Sequence, residues 1–248
     1  MKISNPESWV QHLTWPDVEK KISSGAVGVL PIGAASKEHG CHLPLNTDFL
    51  QAQWLADELA VSENILIWPV LSYGYYPAFV DFPGRISVDA GVFTSTVSEI
   101  VNGIFFSGIG DVIVLNTGIS TIPPLKAFKA QHPNAANIKL HDVYSGVEFQ
   151  AATKVAESQS YGGHADEIET SILLALDDSL VSMEFARSPR ESNATPITSG
   201  LFNRTQHEQA NYSPDGVNGD PSLATKEKGR LLLDALKADC LKIFRPEP

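Results

Sequence analysis

Gly25-Ala-Val-Gly-Val-Leu-Pro-Ile32 is a short apolar run, and it reads as a strand whose carboxyl end opens into a loop from Pro31 to Asp48. From Asp48 to Leu59 the apolar residues Phe49, Ala52, Leu55, Ala56 and Leu59 recur at helical spacing, and Asp48 followed by Gln51 resembles a capping box. Strand, loop and helix therefore follow one another within thirty-five residues, and the rest of the chain repeats the alternation. Ile65 to Leu71, Asp111 to Leu115 and Ile138 to Tyr144 read as further strands. A helix capped by Thr96 and Glu99 is expected to run to about Phe106. Another starts near Ala165 with the stripe Ile168, Ile172, Ala175 and Leu176, and a last one spans about Ala224 to Phe244. This pattern predicts an α/β fold with a mostly parallel central sheet. Ser188 to Pro221, rich in Ser, Asn, Pro and Gly, is expected to be a long irregular segment on the surface. No repeat or compositional break divides the chain, so residues 1–248 are read as a single domain.

Hydrophobic residues make up 43% of the chain and charged residues 19%, the balance of an ordinary globular protein, which excludes disorder and fibres. The formal net charge is −11, and no basic cluster is longer than Lys20-Lys21. The field of such a chain repels phosphate backbones and anionic lipid, so no nucleic acid and no membrane are expected as partners. Cys41 and Cys240 are too few for a disulfide framework, and the first residues lack a signal-like apolar core; the expected location is cytoplasmic.

Chemistry-bearing residues gather in two places. The first loop holds Lys37, Glu38, His39, His42 and Asp48 beyond a strand end, where open α/β sheets bind ligands. Imidazole and carboxylate suit zinc, manganese and similar ions, so His39, His42 and Asp48 form a partial metal site; the bland readings are a helix cap for Asp48 and a packed histidine for His42. Cys41 is read as a small, partly buried thiol rather than a nucleophile. The second place is Gly162-Gly163-His164-Ala165-Asp166-Glu167-Ile168-Glu169, at a helix start. Here His164 and Glu169 are candidates for proton transfer; the bland reading is that Asp166, Glu167 and Glu169 merely complement the helix dipole.

These residues resemble the creatininase family of metal-dependent amidohydrolases. Pro31 to Asp48 is similar to that family's PxGSxEQHGPHLPLxTD string, and His164 to Ser171 is similar to its HAGxxETS string. Phe82 to Ser87 resembles its FPGT segment, and Gly216 to Gly229 resembles its C-terminal GDP and glycine pattern. The resemblance implies a three-layer α/β/α sandwich, a homo-oligomer that is usually a hexamer, and a small-molecule substrate. It also implies a two-metal centre whose activated water hydrolyses a cyclic amide or related C–N bond. His39 would bind one metal, Asp48 would bridge both, and His164 with Glu169 would handle protons and position substrate.

The match departs from the family at the metal ligands. Lys37 stands where the first metal-binding Glu is found and Glu38 at the neighbouring Gln, while Gly118 and Ser120 replace the His and Glu of the third strand's NGHxEN string. An ammonium has no lone pair for a metal. Lys37 is therefore expected to occupy one vacated metal position, paired with Asp48, with the backbone of Thr117 to Thr121 forming an anion pocket opposite. Three readings follow. One is a hydrolase with a single divalent ion, zinc or manganese, on His39, Asp48 and a third ligand from His42, Glu38 or His164. The second is a metal-independent enzyme using Lys37 with His164 and Glu169, and the third is a non-catalytic ligand-binding relative.

Overall fold

The computed structural model describes residues 3–61, 64–197, 200–205 and 210–244. In chain order, helix α1 (Trp15–Ser23) leads into strand β1 (Val27–Ile32), α2 (Thr47–Leu59), β2 (Ile65–Ile67), α3 (Ala90–Phe106) and β3 (Val112–Asn116). Then come α4 (Ile122–Gln131), β4 (Ile138–Asp142), α5 (Val147–Ala156), α6 (Glu167–Asp177), the short α7 (Pro189–Ser192) and α8 (Lys226–Lys242). The sheet order is β2-β1-β3-β4, and every pairing is parallel. Val27 aligns with Ile65, Gly28 with Val112, and Val112 with Ile138.

A parallel sheet must be covered on both faces, and the alternation of side chains along the strands divides the core accordingly. Val29, Ile65, Ile67, Ile113 and Leu115 pack with α2, α5, α6 and α8. Leu30, Ile32, Leu66, Val112 and Val114 pack with α1, α3 and α4. The result is the three-layer α/β/α sandwich expected from the sequence. The C-terminal leucines are core: Leu232, Leu233 and Leu236 are buried, and Leu241, Ile243 and Phe244 pack beside them. Helices α6 and α8 touch along their backbones at Gly229, where a Cβ would stand 2.6 Å from the Ser171 carbonyl carbon.

Several boundaries differ from the sequence reading for identifiable reasons. Helix α3 begins with Asp89 as its cap, accepting from the Gly91 N–H, so Thr96 lies inside the helix and its hydroxyl bonds back to the Val92 carbonyl. The capping box at Asp48 does not form; Asn46 precedes the helix and the Asp48 carboxylate points elsewhere. Strand β2 ends at Ile67, before Pro69, although Leu71 still bridges to Ile32. Helices α1, α4 and α5 had no place in the sequence reading, nor did the short α7, which lies inside the stretch read as irregular. Helix α4 starts with Ile122-Pro123-Pro124, prolines in the first turn where an N–H has no helical partner.

The topology fixes the site. From β1 the chain steps to β2 on one side and then returns to β3 on the other, so a crevice opens at the carboxyl ends of β1 and β3. Thr117, just after β3, closes its floor: its N–H and Oγ1 both donate to the Ile32 carbonyl, at 3.1 and 3.0 Å, and Oγ1 also reaches the Asp48 carbonyl at 3.2 Å.

Candidate active site

The loop after β1 folds back so that Lys37, Glu38 and His39 all point into the crevice. The Lys37 N–H donates to the Leu45 carbonyl at 3.0 Å, and the Phe49 N–H donates to the Ala34 carbonyl at 3.1 Å. Gly33 allows this closure, because a Cβ there would lie 2.8 Å from the carbonyl carbon of Asp48 and 2.9 Å from Ala52 Cβ. Asp48, fully buried in the first turn of α2, is thereby set between two loop residues. Its Oδ2 faces Lys37 Nζ at 2.7 Å, and its Oδ1 faces His39 Nε2 at 3.0 Å. The other nitrogen of His39, Nδ1, donates to the Lys37 carbonyl at 3.0 Å.

Lys37 is only 7% exposed, and its ammonium lies 5.9 and 5.5 Å from the ring centres of Tyr76 and Phe79. Burial works against the charge, but the carboxylates of Asp48, Glu169 and Glu38 outweigh it and hold the lysine above its ordinary value. For Asp48 burial pulls upward, and Lys37 with His39 overcomes it and keeps the carboxyl well below the usual range. The pair is a true buried ion pair.

Glu38 turns the other way. Its Oε1 accepts from the Gly40 N–H, and its Oε2 meets His164 Nε2 at 3.0 Å across 126 positions of sequence. Burial raises Glu38 to about 8. Burial, reinforced by Lys37, lowers His164 to about 3. Burial thus disfavours the charged form of both partners of this hydrogen bond. On the far side of His164, Nδ1 lies 3.6 Å from Glu169 Oε2, which accepts from the Ala165 N–H at 2.5 Å. Glu169 is itself raised, chiefly by burial. His164 does not sit in the helix: it precedes the cap Asp166, whose carboxylate takes the N–H groups of Ile168 and Glu169, and its backbone pairs with Asn218.

The remaining candidates fall outside the cluster. His42 Nε2 contacts Thr170 Oγ1 at 2.8 Å, away from the Asp48 carboxylate, and burial first of all lowers the ring to about 4. Glu167 pairs with Lys228 and takes the N–H groups of Ser158 and Gln159. Cys41 is exposed rather than partly buried, and its thiol is raised, by what burial it has and by Asp215 and Glu38. The Thr117 to Thr121 turn closes on Asn116, whose Oδ1 takes the Gly118 N–H at 3.2 Å and the Thr121 hydroxyl at 2.7 Å, so that N–H is not available to an anion.

Among the described residues, His39, His164 and Glu169 bring ligand atoms within 4.8 Å of one another. Beside them lies a cavity of about 210 Å³ lined by Lys37, Tyr76, Phe79, Ser120, His164, Glu169 and others. Tyr73, one of the aromatics near the FPG segment, is half exposed and lies outside it. The stretch expected to be merely irregular surface supplies part of the wall: Ile197, Phe202 and Asn218 line the cavity, and the Phe202 ring stands edge-on to His164 at 5.5 Å. Neither Phe202 nor the contact of Glu38 with His164 was foreseen. The signal for Asn218 lay in its Gly216-Val-Asn-Gly-Asp setting, where Gly216 has φ +82° and a Cβ would strike the Glu38 carboxyl.

The buried Glu38 carboxyl also gives a pH test. Because Glu38 binds its proton more tightly in the folded than in the unfolded chain, its stabilising contribution is complete below about pH 4.5 and is lost as the pH rises toward 8. Glu38→Gln cannot ionise. Relative to the parent it is expected to gain at most about 1.4 kcal/mol per pH unit over that window, read from urea unfolding at several pH values. Parallel stability curves would mean that Glu38 is ionised when folded.

Comparison with known proteins follows the same lines. A family model described as Creatininase, creatinine amidohydrolase, matches residues 11–244. The creatinine amidohydrolase of Pseudomonas putida is 25% identical over 259 residues, covering 96% of both chains. The 3-dehydro-scyllo-inosose hydrolase of Thermotoga maritima is 25% identical over 260 residues, covering 96% of this chain and 82% of its own. Among solved structures, a creatininase variant of Zn–Zn type superposes with a TM-score of 0.78 at 23% identity, over 97% of this chain and 99% of the other.

Proposed function

The chain belongs to the creatininase family, and from that premise we propose that it hydrolyses a C–N bond of a small amide, cyclic amides included, at a centre with one divalent ion, zinc or manganese. The observation that carries this reading is the buried Lys37–Asp48–His39 array at the topological crevice, beside a cavity of about 210 Å³. Pockets for drug-sized ligands run to about 300–1,000 Å³, so the cavity suits a substrate of one ring or a short chain.

The residues fit one ion and not two. On the Oδ2 side of Asp48 the ammonium of Lys37 is in place at 2.7 Å, walled by the rings of Tyr76 and Phe79. Gly118 offers no ligand atom of its own, and a Cβ there would meet Thr121 Oγ1 at 2.7 Å, so a side chain at this position would have to displace the Thr121 hydroxyl. On the Oδ1 side, His39 Nε2 lies 3.0 Å away, close to the separation of about 3.3 Å that two ligands of one tetrahedral ion adopt. His39 and Asp48 would hold the ion; when bound, it supplies an acidified water and a Lewis acid for the amide carbonyl.

The chain's own groups do the rest. Lys37, pinned by Asp48, presents a fixed positive charge on the cavity wall where a carbonyl oxygen gains negative charge. His164, held on one side by Glu38 and on the other by Glu169, carries a proton between the cavity and these carboxyls. Tyr76, Phe79 and Phe202 exclude water and favour a flat substrate.

The experiment is turnover of lactams, cyclic amides, formamides and short acyl amides by zinc- or manganese-loaded protein, followed by the amine or carboxylate released. His164→Gln is expected to lower kcat by about 10²–10⁴-fold. Turnover that survives chelation but vanishes in Lys37→Met would replace this reading with the metal-independent one, and no turnover in an ion-loaded protein would sink it.

A further inference from the structure

Resting on the hydrolase reading, we propose that the substrate is an amide with an uncharged apolar group on its nitrogen, and that this group fills a second cavity beyond Glu169. That cavity has a volume of about 250 Å³ and shares Ile119, Tyr144, Gly163 and Glu169 with the one beside Lys37. The first cavity alone is smaller than the range of about 300–1,000 Å³ that ligands of drug size occupy, and the two together fall within it.

The wall that the two cavities share is rigid on one side and bare on the other. Tyr144 donates its hydroxyl to Gln51 Oε1 at 2.7 Å, and its ring centre lies 5.4 Å from that of Phe149. Gly163, at φ +137°, has no side chain to project into either cavity.

The chemistry of the reaction sets the orientation. Lys37 lines the first cavity and not the second, so the carbonyl oxygen that meets its charge lies in the first. When water adds to the carbonyl carbon and the C–N bond breaks, both oxygens stay with the acid, and the nitrogen leaves as an amine with a proton from His164. Glu169, on the far side of His164, lines both cavities, so the nitrogen sits at their junction and its substituent points into the second.

The lining of the second cavity selects that substituent. Phe149 and Ile168 are buried in its wall, and Ile119 and the Tyr144 ring add apolar surface. Among its described lining residues there is no lysine, arginine or histidine, so an anionic substituent would find no counter-charge. A cationic one is no better served. The Asp166 carboxylate is filled by four donors: the N–H groups of Ile168 and Glu169 on Oδ1, and the Gly163 N–H and Gln159 Nε2 on Oδ2. Glu157 takes the same Gln159 amide at 2.8 Å, and Glu169 takes the Ala165 N–H.

The probes are acetamide, N-benzylacetamide and its isomer phenylpropanamide, whose ring is on the acyl side, each offered to zinc-loaded protein. Burial of the benzyl group should raise kcat/KM for N-benzylacetamide about 10–100-fold over acetamide, while phenylpropanamide gains little. Benzylacetone, with a methylene in place of the amide nitrogen, cannot be hydrolysed, and calorimetry should show the same preference for it over acetone. Thr153→Phe places a ring in the second cavity and should abolish both preferences. Ile119 is 61% exposed on the turn after β3, so its truncation leaves the core intact, and Ile119→Ala should weaken both preferences about fourfold, the effect of one buried methylene. Equal kcat/KM for acetamide and N-benzylacetamide would overturn the proposal and leave the hydrolase reading intact. An equal gain in phenylpropanamide, a gain from a carboxylate or ammonium on the ring, or a preference that survives in both variants would do the same. Selective binding of benzylacetone with no amide turned over would uphold the apolar subsite and sink the hydrolase reading, and neither binding nor turnover would overturn both.

Discussion

Lys37→Met is expected to destabilise the ion-free protein by about 3–5 kcal/mol at neutral pH, because removing one partner of a buried ion pair leaves the other charge uncompensated. Asp48 is fully buried, and His39 would be left as its hydrogen-bond partner. Methionine keeps most of the lysine stem's volume, so packing against Tyr76 and Phe79 survives and the loss reports charge. The sign of the pH dependence separates this from simple misfolding. In the parent, Asp48 is held below the usual range, so its contribution is present above the unfolded value near pH 4 and is lost as the pH falls further. Without the ammonium, burial is the dominant influence on Asp48 and raises it, so the variant favours the protonated carboxyl. The gap between parent and variant should therefore narrow from pH 7 toward pH 4.5, and added zinc should recover part of it at pH 7 by supplying the missing positive charge. Urea unfolding at both pH values, with and without zinc, checks the prediction. A gap independent of pH would mean that Asp48 is not the group left unpaired.

The ion pair also explains which features of the site were legible in the sequence. A buried carboxylate needs a cation, and losing ligand residues while gaining a lysine two positions before His39 left few other homes for that ammonium. The strand, loop and helix around it were legible too, since each carries its own period. Contacts that join distant segments were not. Glu38 and His164 are 126 positions apart, and neither residue's immediate neighbours encode the pairing. Phe202 and Asn218 come from a stretch with no period, because what positions them is a pair of backbone bonds from His164 to Asn218 and the stacking of Phe202 on Phe79. Asp48 shows the limit of local rules. Its spacing to Gln51 matched a helix cap, but the cap position fell two residues earlier, at Asn46, so the carboxylate faced the crevice instead of the helix backbone.

Gly33→Ala should do heavy damage to the site. A Cβ at position 33 would lie 2.8 Å from the Asp48 carbonyl carbon and 2.9 Å from Ala52 Cβ, and it would also strike the Asp48 carbonyl oxygen. These neighbours are helix backbone rather than the end of a flexible side chain. Nor can α2 yield locally: the Asp48 carbonyl is held by Thr117 Oγ1 at 3.2 Å and the Phe49 N–H by the Ala34 carbonyl at 3.1 Å. The helix must move as a unit, carrying Asp48 away from Lys37 and His39. Overpacking of this kind costs about 1–3 kcal/mol or more, and a displacement of about 1 Å at a reacting group can cost about 10²-fold in rate. The expected result is a protein that is less stable, binds zinc more weakly and is nearly inactive. Gly103→Ala is the control: that glycine lies in α3, where an added Cβ would meet nothing within 4 Å, so alanine should stabilise the helix by about 0.5–1 kcal/mol. If Gly33→Ala unfolds like the control and keeps its zinc, the close approach of β1 to α2 does not set the position of Asp48, and the register of the whole crevice must be fixed from the β3 side alone.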